Sequence, residues 1–110
     1  MKFLPLKKKK EFTKALKTGK RYYYPSVTVI ICPAADFRYA VCVGKKYGKS
    51  VERNHLKRLL REAFRFHAEK IKKSCIVLLL PKVAEEYTFQ RFKRDIGIAI
   101  EKENRADTQA

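Results

Sequence analysis

Residues 49–65 read KSVERNHLKRLLREAFR and predict a helix from about residue 51 to residue 70. Ser50 stands where a helix N-cap is expected. At about 100° per residue, the side chains separate into two faces. The basic face contains Arg53, Lys57, Arg58, Arg61 and Arg65, and the apolar face contains Leu56, Leu59, Leu60, Ala63, Phe64 and His67. The pattern predicts that this helix packs on a core with one face and presents positive charge on the other.

The segments on either side of this helix predict a small mixed sheet. The other predicted elements are a helix at 9–17 that ends at Thr18-Gly19, strands at about 24–32 and 37–44 that form a hairpin, a strand at 74–80, and a helix at 88–102 with Thr88 as a possible cap. The strand at 74–80 is apolar throughout, which predicts that it is buried on both faces. The order αββαβα, or αβββαβα with one more short strand, indicates an α+β fold in which helices cover the sheet.

The chain has 110 residues and a formal net charge of +16, which favours polyanionic partners. The charge is concentrated in two blocks, +8 in residues 1–21 and +6 in residues 45–65. The length fits one domain, predicted at 1–103, with a tail at 104–110. The apolar run at 75–80 is too short to cross a bilayer. Cys32, Cys42 and Cys75 lie in apolar segments, which is typical of buried cysteines in a reducing cytoplasm.

The sequence offers no clear catalytic group. Gly48-Lys49-Ser50 resembles the end of a nucleotide-binding loop, but Val43 occupies the position of the first glycine. No spacing of Cys and His suggests a metal site. The acidic residues of the C-terminal third are predicted to lie on solvated helix faces: Glu85, Glu86, Asp95, Glu101 and Glu103. His67 is predicted to be packed in the core. His55 lies beside the basic face, where a contact with RNA and the absence of one are equally compatible with the sequence.

The basic helix and its flanks resemble one family, the protein subunit of bacterial ribonuclease P. Residues 53–61, RNHLKRLLR, are similar to the family signature R-N-R-x-K-R-x-x-R, with His55 in place of the second arginine. VGKKYGKSVE before the signature, EAFR after it, and LKKKKEFTKALKTG near the N-terminus are also similar to the family. The resemblance covers about residues 4–102.

This resemblance implies a fold, partners and a function. The fold is a two-layer α/β sandwich with a left-handed βαβ crossover, against the general right-handed preference. The implied partners are the catalytic RNA of ribonuclease P and precursor tRNA. The resemblance implies that the protein is the non-catalytic subunit of a cytoplasmic endoribonuclease that removes the 5′ leader from precursor tRNA. The active site and the Mg²⁺ ions are expected in the RNA, with no membrane and no small-molecule substrate involved.

The resemblance also implies two RNA-binding surfaces. The residues expected to bind the catalytic RNA are Lys45, Lys46, Lys49, Arg53, Asn54, His55, Lys57, Arg58, Arg61 and Arg65. Those expected at a leader-binding cleft are Phe12, Leu16, Ile30, Lys7 and Lys8. For Phe12, simple core packing is the alternative to stacking on an unpaired base. Tyr22, Tyr23 and Tyr24 are interpreted first as edge packing and second as RNA stacking.

Three other functions are compatible with a basic α+β domain. A ribosomal or other structural RNA-binding protein has similar charge but lacks a substrate cleft and a role in cleavage. A helix-turn-helix DNA-binding module requires a helix before the recognition helix, where residues 37–44 predict a strand. Membrane-surface binding is the weakest of the three, because the apolar face of the basic helix is needed for the core.

Overall fold

The computed structural model describes residues 3–109. In chain order, its elements are β1 (Leu4–Pro5), α1 (Lys9–Thr18), β2 (Lys20–Tyr23), β3 (Val27–Pro33), β4 (Arg38–Val41), a single 3-10 turn (Lys45–Tyr47), α2 (Ser50–Ala68), β5 (Cys75–Pro81) and α3 (Phe89–Gln109). The α+β prediction is confirmed. The two-residue strand β1 was not predicted; it pairs in parallel with β4 at the edge of the sheet.

Strand β5 lies at the centre of the sheet, whose strand order is β1-β4-β5-β3-β2. Its side chains alternate between the two faces: Val77 and Leu79 enter one core, and Ile76 and Leu78 enter the other. A strand that is apolar on both sides loses contact with water completely only when it has a neighbour on each side and a covered surface above and below. The prediction of a strand buried on both faces is therefore confirmed.

The predicted hairpin between the strands at 24–32 and 37–44, which correspond to β3 and β4, is wrong. Strand β3 pairs antiparallel with one edge of β5, and β4 pairs in parallel with the other edge. Ile76 is consequently opposite Cys32 on one side and Arg38 on the other. The central position of β5 explains the error, because β3 and β4 are adjacent in the chain but are separated by the more apolar strand. The hairpin partner of β3 is instead β2.

Strands β4 and β5 are parallel neighbours joined through α2, which is a βαβ crossover. The left hand implied for this crossover stays a prediction. Helices α2 and α3 pack on one face of the sheet, through Leu60, Phe64, Phe92 and Ile96 among others. The α/β sandwich consists of this helical layer and the sheet, and α1 covers part of the opposite face.

Helix α1 lies very close to β3 because Gly19 ends it. A Cβ atom at position 19 would be 2.5 Å from the Ile30 Cγ2 atom and 2.5 Å from the Ala15 carbonyl oxygen. The Gly19 φ of −66° is open to any residue, so the glycine is required by the close approach rather than by backbone strain. The predicted end of α1 is confirmed, since the Gly19 N–H donates to the Ala15 carbonyl.

Two predicted details of helices α2 and α3 are wrong. Lys49 is the N-cap of α2, and Ser50 is its first helical residue. Helix α3 continues to Gln109 instead of ending near Lys102. The predicted cap of α3 is confirmed, because the Thr88 hydroxyl oxygen accepts a hydrogen bond from the Arg91 N–H at 3.4 Å.

Asp95 is buried, although the sequence places it on a solvated helix face. Its carboxylate accepts hydrogen bonds from the Ser26 N–H at 3.0 Å and the Ser26 hydroxyl at 2.6 Å, and from the Arg94 Nε–H at 3.1 Å. These contacts tie α3 to the turn between β2 and β3. The error arose because a buried carboxylate can be recognised only when its donors are known, and Ser26 is distant in sequence.

The remaining compositional predictions concern cysteines and membranes. Cys32 and Cys75 are buried and Cys42 is half-buried, and none of these three described cysteines forms a disulfide bond. Burial in small apolar positions is therefore confirmed for Cys32 and Cys75. Among residues 3–109, no helix combines the length and the apolar character that a membrane span needs.

Candidate RNA-binding surfaces

The basic face of α2 lies on the side of the helix that faces away from the core. Asn54, His55, Arg58, Arg61 and Arg65 are exposed, and Arg53 and Lys57 are half-buried. Leu56, Leu60, Ala63, Phe64 and His67 are buried on the other side, as predicted. Within the part of the chain that the structure describes, none of the five bases on this face forms an ion pair with a carboxylate. The face is therefore an array of cations available to an anionic partner.

Arg53 is held more tightly than the other bases of this face. Its Nη2 donates to the Ser50 hydroxyl at 3.2 Å, which places the guanidinium beside the first turn of the helix. Its Nε is buried and has no hydrogen-bond partner among the described residues. A buried donor without an acceptor is costly, so an incoming oxygen atom that reached it would be favoured.

The basic loop before α2 is anchored by Tyr47. The Tyr47 hydroxyl donates to the Pro81 carbonyl at 2.6 Å, at the end of β5. Burial raises the pKa of this hydroxyl, with smaller contributions from Tyr87 and Cys42. Gly48 has a φ of 115°, a backbone conformation that residues with a Cβ atom rarely adopt. This glycine turns the chain into α2. Lys45, Lys46 and Lys49 are exposed on this anchored loop, next to the N-terminus of the basic helix.

Replacing Tyr47 by phenylalanine is expected to lower the free energy of unfolding by about 1 kcal/mol, because the Pro81 carbonyl loses its buried donor. The ring itself would still fill its place in the core. Urea denaturation followed by circular dichroism measures the change. Tyr23→Phe, at an exposed position on β2, is the matched control and should leave stability unchanged. Equal stability of the two variants would show that the hydroxyl does not anchor the loop.

The predicted cleft residues lie around α1, on the face of the sheet opposite α2 and α3. Phe12 and Leu16 are half-buried against the core between α1 and the sheet. Lys7 and Lys8 are exposed just before the helix, and the Lys8 ammonium lies 3.9 Å from the Glu11 carboxylate. Ile30 is completely buried beneath α1, and its place in a leader-binding cleft stays a prediction. Its position below Gly19 supports α1.

The sequence missed further apolar residues on this face of the sheet. Leu6, Ala40, Cys42 and Leu80 are half-buried and pack against the same core cluster as Phe12. Burial raises the pKa of the Cys42 thiol to about 11, so the thiol is neutral at physiological pH and contributes apolar surface. The incorrect hairpin explains the omission, since Ala40 and Cys42 join these residues only because β4 pairs with β5. In the run Tyr22-Tyr23-Tyr24, the first two tyrosines differ in exposure. Tyr22 is buried and its hydroxyl donates a hydrogen bond to Glu103 at 2.7 Å, whereas Tyr23 is exposed.

His67 is packed in the core side of α2, as predicted. Its Nε2 lies 2.9 Å from the Lys93 carbonyl oxygen, which can only accept, so Nε2 carries the proton. Its Nδ1 lies 3.3 Å from the Lys70 ammonium, which donates to it. Burial lowers the pKa of this imidazole. His67 is therefore a neutral structural residue between α2 and α3.

Comparison with known proteins identifies the family. A family model described as Ribonuclease P matches residues 1–104. The chain belongs to the ribonuclease P protein family. The curated relatives it resembles carry the name ribonuclease P protein component. The resemblance drawn from residues 53–61 and their flanks is confirmed.

Three of these ribonuclease P protein components show the extent of the similarity. The protein of Dictyoglomus turgidum is 38% identical over 82 residues, which cover 73% of this chain and 69% of the relative. That of Clostridioides difficile is 33% identical over 95 residues, which cover 83% of each. The match to the Desulfovibrio desulfuricans protein is 38% identical over 72 residues and spans 62% of this chain but only 55% of the relative.

Solved ribonuclease P proteins share the fold. The Thermotoga maritima protein superposes with a TM-score of 0.76 at 24% identity, covering 90% of this chain and 96% of the other. A Staphylococcus aureus protein superposes with a TM-score of 0.67 at 28% identity, covering 89% and 88%. Among the described residues of this family member, no three His, Cys, Asp or Glu side chains are grouped so that they could hold a metal ion.

Proposed function

We propose that this protein is the protein subunit of a ribonuclease P, which binds the catalytic RNA and the 5′ leader of precursor tRNA and assists endonucleolytic removal of that leader. The observation that carries the proposal is the basic face of α2, whose five bases have no carboxylate partner among the described residues. Membership in the ribonuclease P protein family supports an RNA partner for that face.

The catalytic RNA is proposed to bind α2 and the loop before it. Arginine can fork onto phosphate oxygens, so Arg53, Arg58 and Arg61 are suited to backbone contacts. Lys45, Lys46 and Lys49 add charge from the loop that Tyr47 anchors. The exposed amide of Asn54 can both donate hydrogen bonds to bases or sugars and accept them, whereas lysine can only donate.

The leader is proposed to bind the cleft beside α1. An unpaired base can stack on the half-exposed Phe12 ring, between the apolar wall of β4 and the lysines that precede the helix. The cleft and the basic face of α2 belong to opposite faces of the sheet. One small domain can therefore contact both RNAs at once without one contact blocking the other.

The proposed contribution to the reaction is electrostatic and positional. Two RNAs brought together repel each other through their phosphates, and a domain of charge +16 between them offsets that repulsion. Mg²⁺ is proposed to be held mainly by the RNA, and the protein is expected to lower the bulk Mg²⁺ concentration required. The chemical step is left to the RNA, so the protein should raise substrate affinity more than it changes the rate of cleavage.

Cleavage of precursor tRNA by the catalytic RNA tests the proposal, with and without the protein, at low and high Mg²⁺. The protein is expected to restore cleavage at low Mg²⁺ and to have a smaller effect at high Mg²⁺. A structural RNA-binding protein would bind the RNA yet leave cleavage unchanged. The proposal fails if the protein does not restore cleavage at low Mg²⁺.

Replacing Phe12 by alanine is expected to weaken binding of precursor tRNA by about 1–3 kcal/mol, the usual worth of one base stacked on an aromatic ring. Binding of mature tRNA, which lacks the leader, should be nearly unchanged. The affinities of the assembled holoenzyme for the two tRNAs measure the difference.

The two tRNAs separate a leader contact from a general loss of structure. Val83→Ala, at an exposed apolar residue outside the cleft, is the matched control and should affect neither affinity. An equal loss for both tRNAs in a folded Phe12→Ala variant would contradict the assignment of Phe12 to the leader. It would support the alternative that Phe12 is only a packing residue.

A further inference from the structure

A groove of about 530 Å³ lies between the C-terminal half of α2 and the outer side of α3. Its lining includes His67, Lys70, Gln90, Lys93, Arg94 and Gly97. Gly97 leaves the groove open over the His67 ring, since a Cβ atom there would lie 2.8 Å from the ring atoms Cε1 and Nε2. The groove is separate from the basic face of α2, because exposed Glu62 and Glu69 lie between them around the helix.

Two ammonium groups are gathered at one aromatic ring beside this groove. Lys93 Nζ lies 3.8 Å from the centroid of the Phe66 ring, and Lys70 Nζ lies 5.9 Å from it. The Phe66 side chain is 56% exposed. The electron-rich ring face holds the cations in place at the surface. Phe66 therefore concentrates positive charge at the edge of the groove.

This positive charge is largely uncompensated. Neither Lys70 nor Lys93 forms an ion pair within the described part of the chain, and the groove residue Glu101 is paired with Arg105. Arg94 contacts the buried Asp95, which also accepts hydrogen bonds from Ser26. The pKa of His67 is lowered first by burial and further by the charges of Lys70 and Lys93, while its contact with the Lys93 carbonyl acts in the opposite direction. The positive charges of Lys70 and Lys93 therefore act on the His67 imidazole.

We propose that this groove binds the phosphodiester backbone of the catalytic RNA, as a second contact beyond the basic face of α2. Bringing an anionic backbone to Lys70 and Lys93 relieves the repulsion between two like charges held at one ring. The catalytic RNA is chosen over the leader because the groove belongs to the α2–α3 layer, on the other side of the sheet from the α1 cleft. The inference rests on the proposed function.

The test is the affinity of the catalytic RNA for the full chain and for the double variant Lys70→Gln/Lys93→Gln, over a range of salt concentrations. The variant is expected to bind the RNA at least about 30-fold more weakly, as the loss of two charged phosphate contacts implies. The slope of log affinity against log salt should become shallower by roughly 1.5, since each phosphate contact contributes a little under one.

The double variant Lys82→Gln/Lys102→Gln is the matched control. Its two lysines also lie over aromatic rings, 5.5 Å from the Tyr23 centroid and 5.6 Å from the Tyr24 centroid, so the variant loses the same charge and the same kind of contact outside the groove. It is expected to bind with less than a 2-fold change. Circular dichroism of both variants checks that they are folded.

The outcomes separate the inference from the proposed function. Equal loss in the two double variants would overturn the inference, because net charge alone would explain it. Unchanged RNA affinity in Lys70→Gln/Lys93→Gln would overturn it as well, whether precursor tRNA binding is reduced or not. If the unaltered protein fails to bind the catalytic RNA, the proposed function itself fails, which is a different result from a groove variant that binds normally.

Discussion

Replacing Asp95 by alanine is expected to lower the free energy of unfolding by about 3 kcal/mol, because it leaves buried donors unpaired. Asp95 is 1% exposed, and its carboxylate accepts hydrogen bonds from both the N–H and the hydroxyl of Ser26. Only the hydroxyl has another acceptor, the Arg91 carbonyl at 3.2 Å. The link between α3 and the β2–β3 turn would be lost. Urea denaturation followed by circular dichroism measures the loss.

Two further variants make this expectation specific. Asp95→Asn retains one oxygen acceptor and nearly the same shape, so its loss should be smaller than that of Asp95→Ala. Glu101→Ala removes an exposed carboxylate on the same helix, whose pair with Arg105 is worth little. A loss below about 1 kcal/mol for Asp95→Ala would contradict the assigned role, since a charged, buried acceptor is normally worth more.

The double variant Arg53→Ala/Arg61→Ala is expected to bind the catalytic RNA about 2–4 kcal/mol more weakly, at about 1–2 kcal/mol for each charged phosphate contact. Both residues lie on the face of α2 that has no carboxylate partners among the described residues. The Nε of Arg53 is also buried and has no hydrogen-bond partner among the described residues. Titration of labelled catalytic RNA with each variant at fixed salt measures the change.

Arg91→Ala/Lys102→Ala is the matched control for that experiment. It removes the same charge from exposed positions of α3, away from the basic face of α2. A modest loss is expected, because net charge contributes to every electrostatic association. If the control loses as much affinity as Arg53→Ala/Arg61→Ala, the basic face of α2 has no special role in binding.

Local patterns in the chain were sufficient for several parts of the fold and of the candidate site. The spacing of basic and apolar residues predicted the two faces of α2, because a helix repeats its surface every 3.6 residues. The apolar run that became β5 predicted burial on both sides. Gly19 marked the end of α1. Each of these depends on residues within a few positions of one another, so no knowledge of distant contacts was needed.

Other features depend on which distant segments come together, and the order of residues along the chain does not contain that information in a local form. Insertion of β5 between β3 and β4 placed Ala40 and Cys42 in the core cluster that also includes Phe12 and replaced the expected hairpin. Packing of α1 on β3 removed Ile30 from the surface. Asp95 was predicted to be solvated, but the contact of α3 with the turn at Ser26 buries its carboxylate as a hydrogen-bond acceptor.

The distribution of charge shows the same division. The chain alone establishes a charge of +16 in two main blocks, and the helical period places most of the second block on one face. Whether each cation is paired depends on tertiary contacts. Packing of α3 against α2 brings Lys93 of α3 beside Lys70, which follows the end of α2, at the Phe66 ring, and neither charge block contains these lysines. Helical periodicity acts within a few residues, whereas this convergence requires the sheet on which both helices pack.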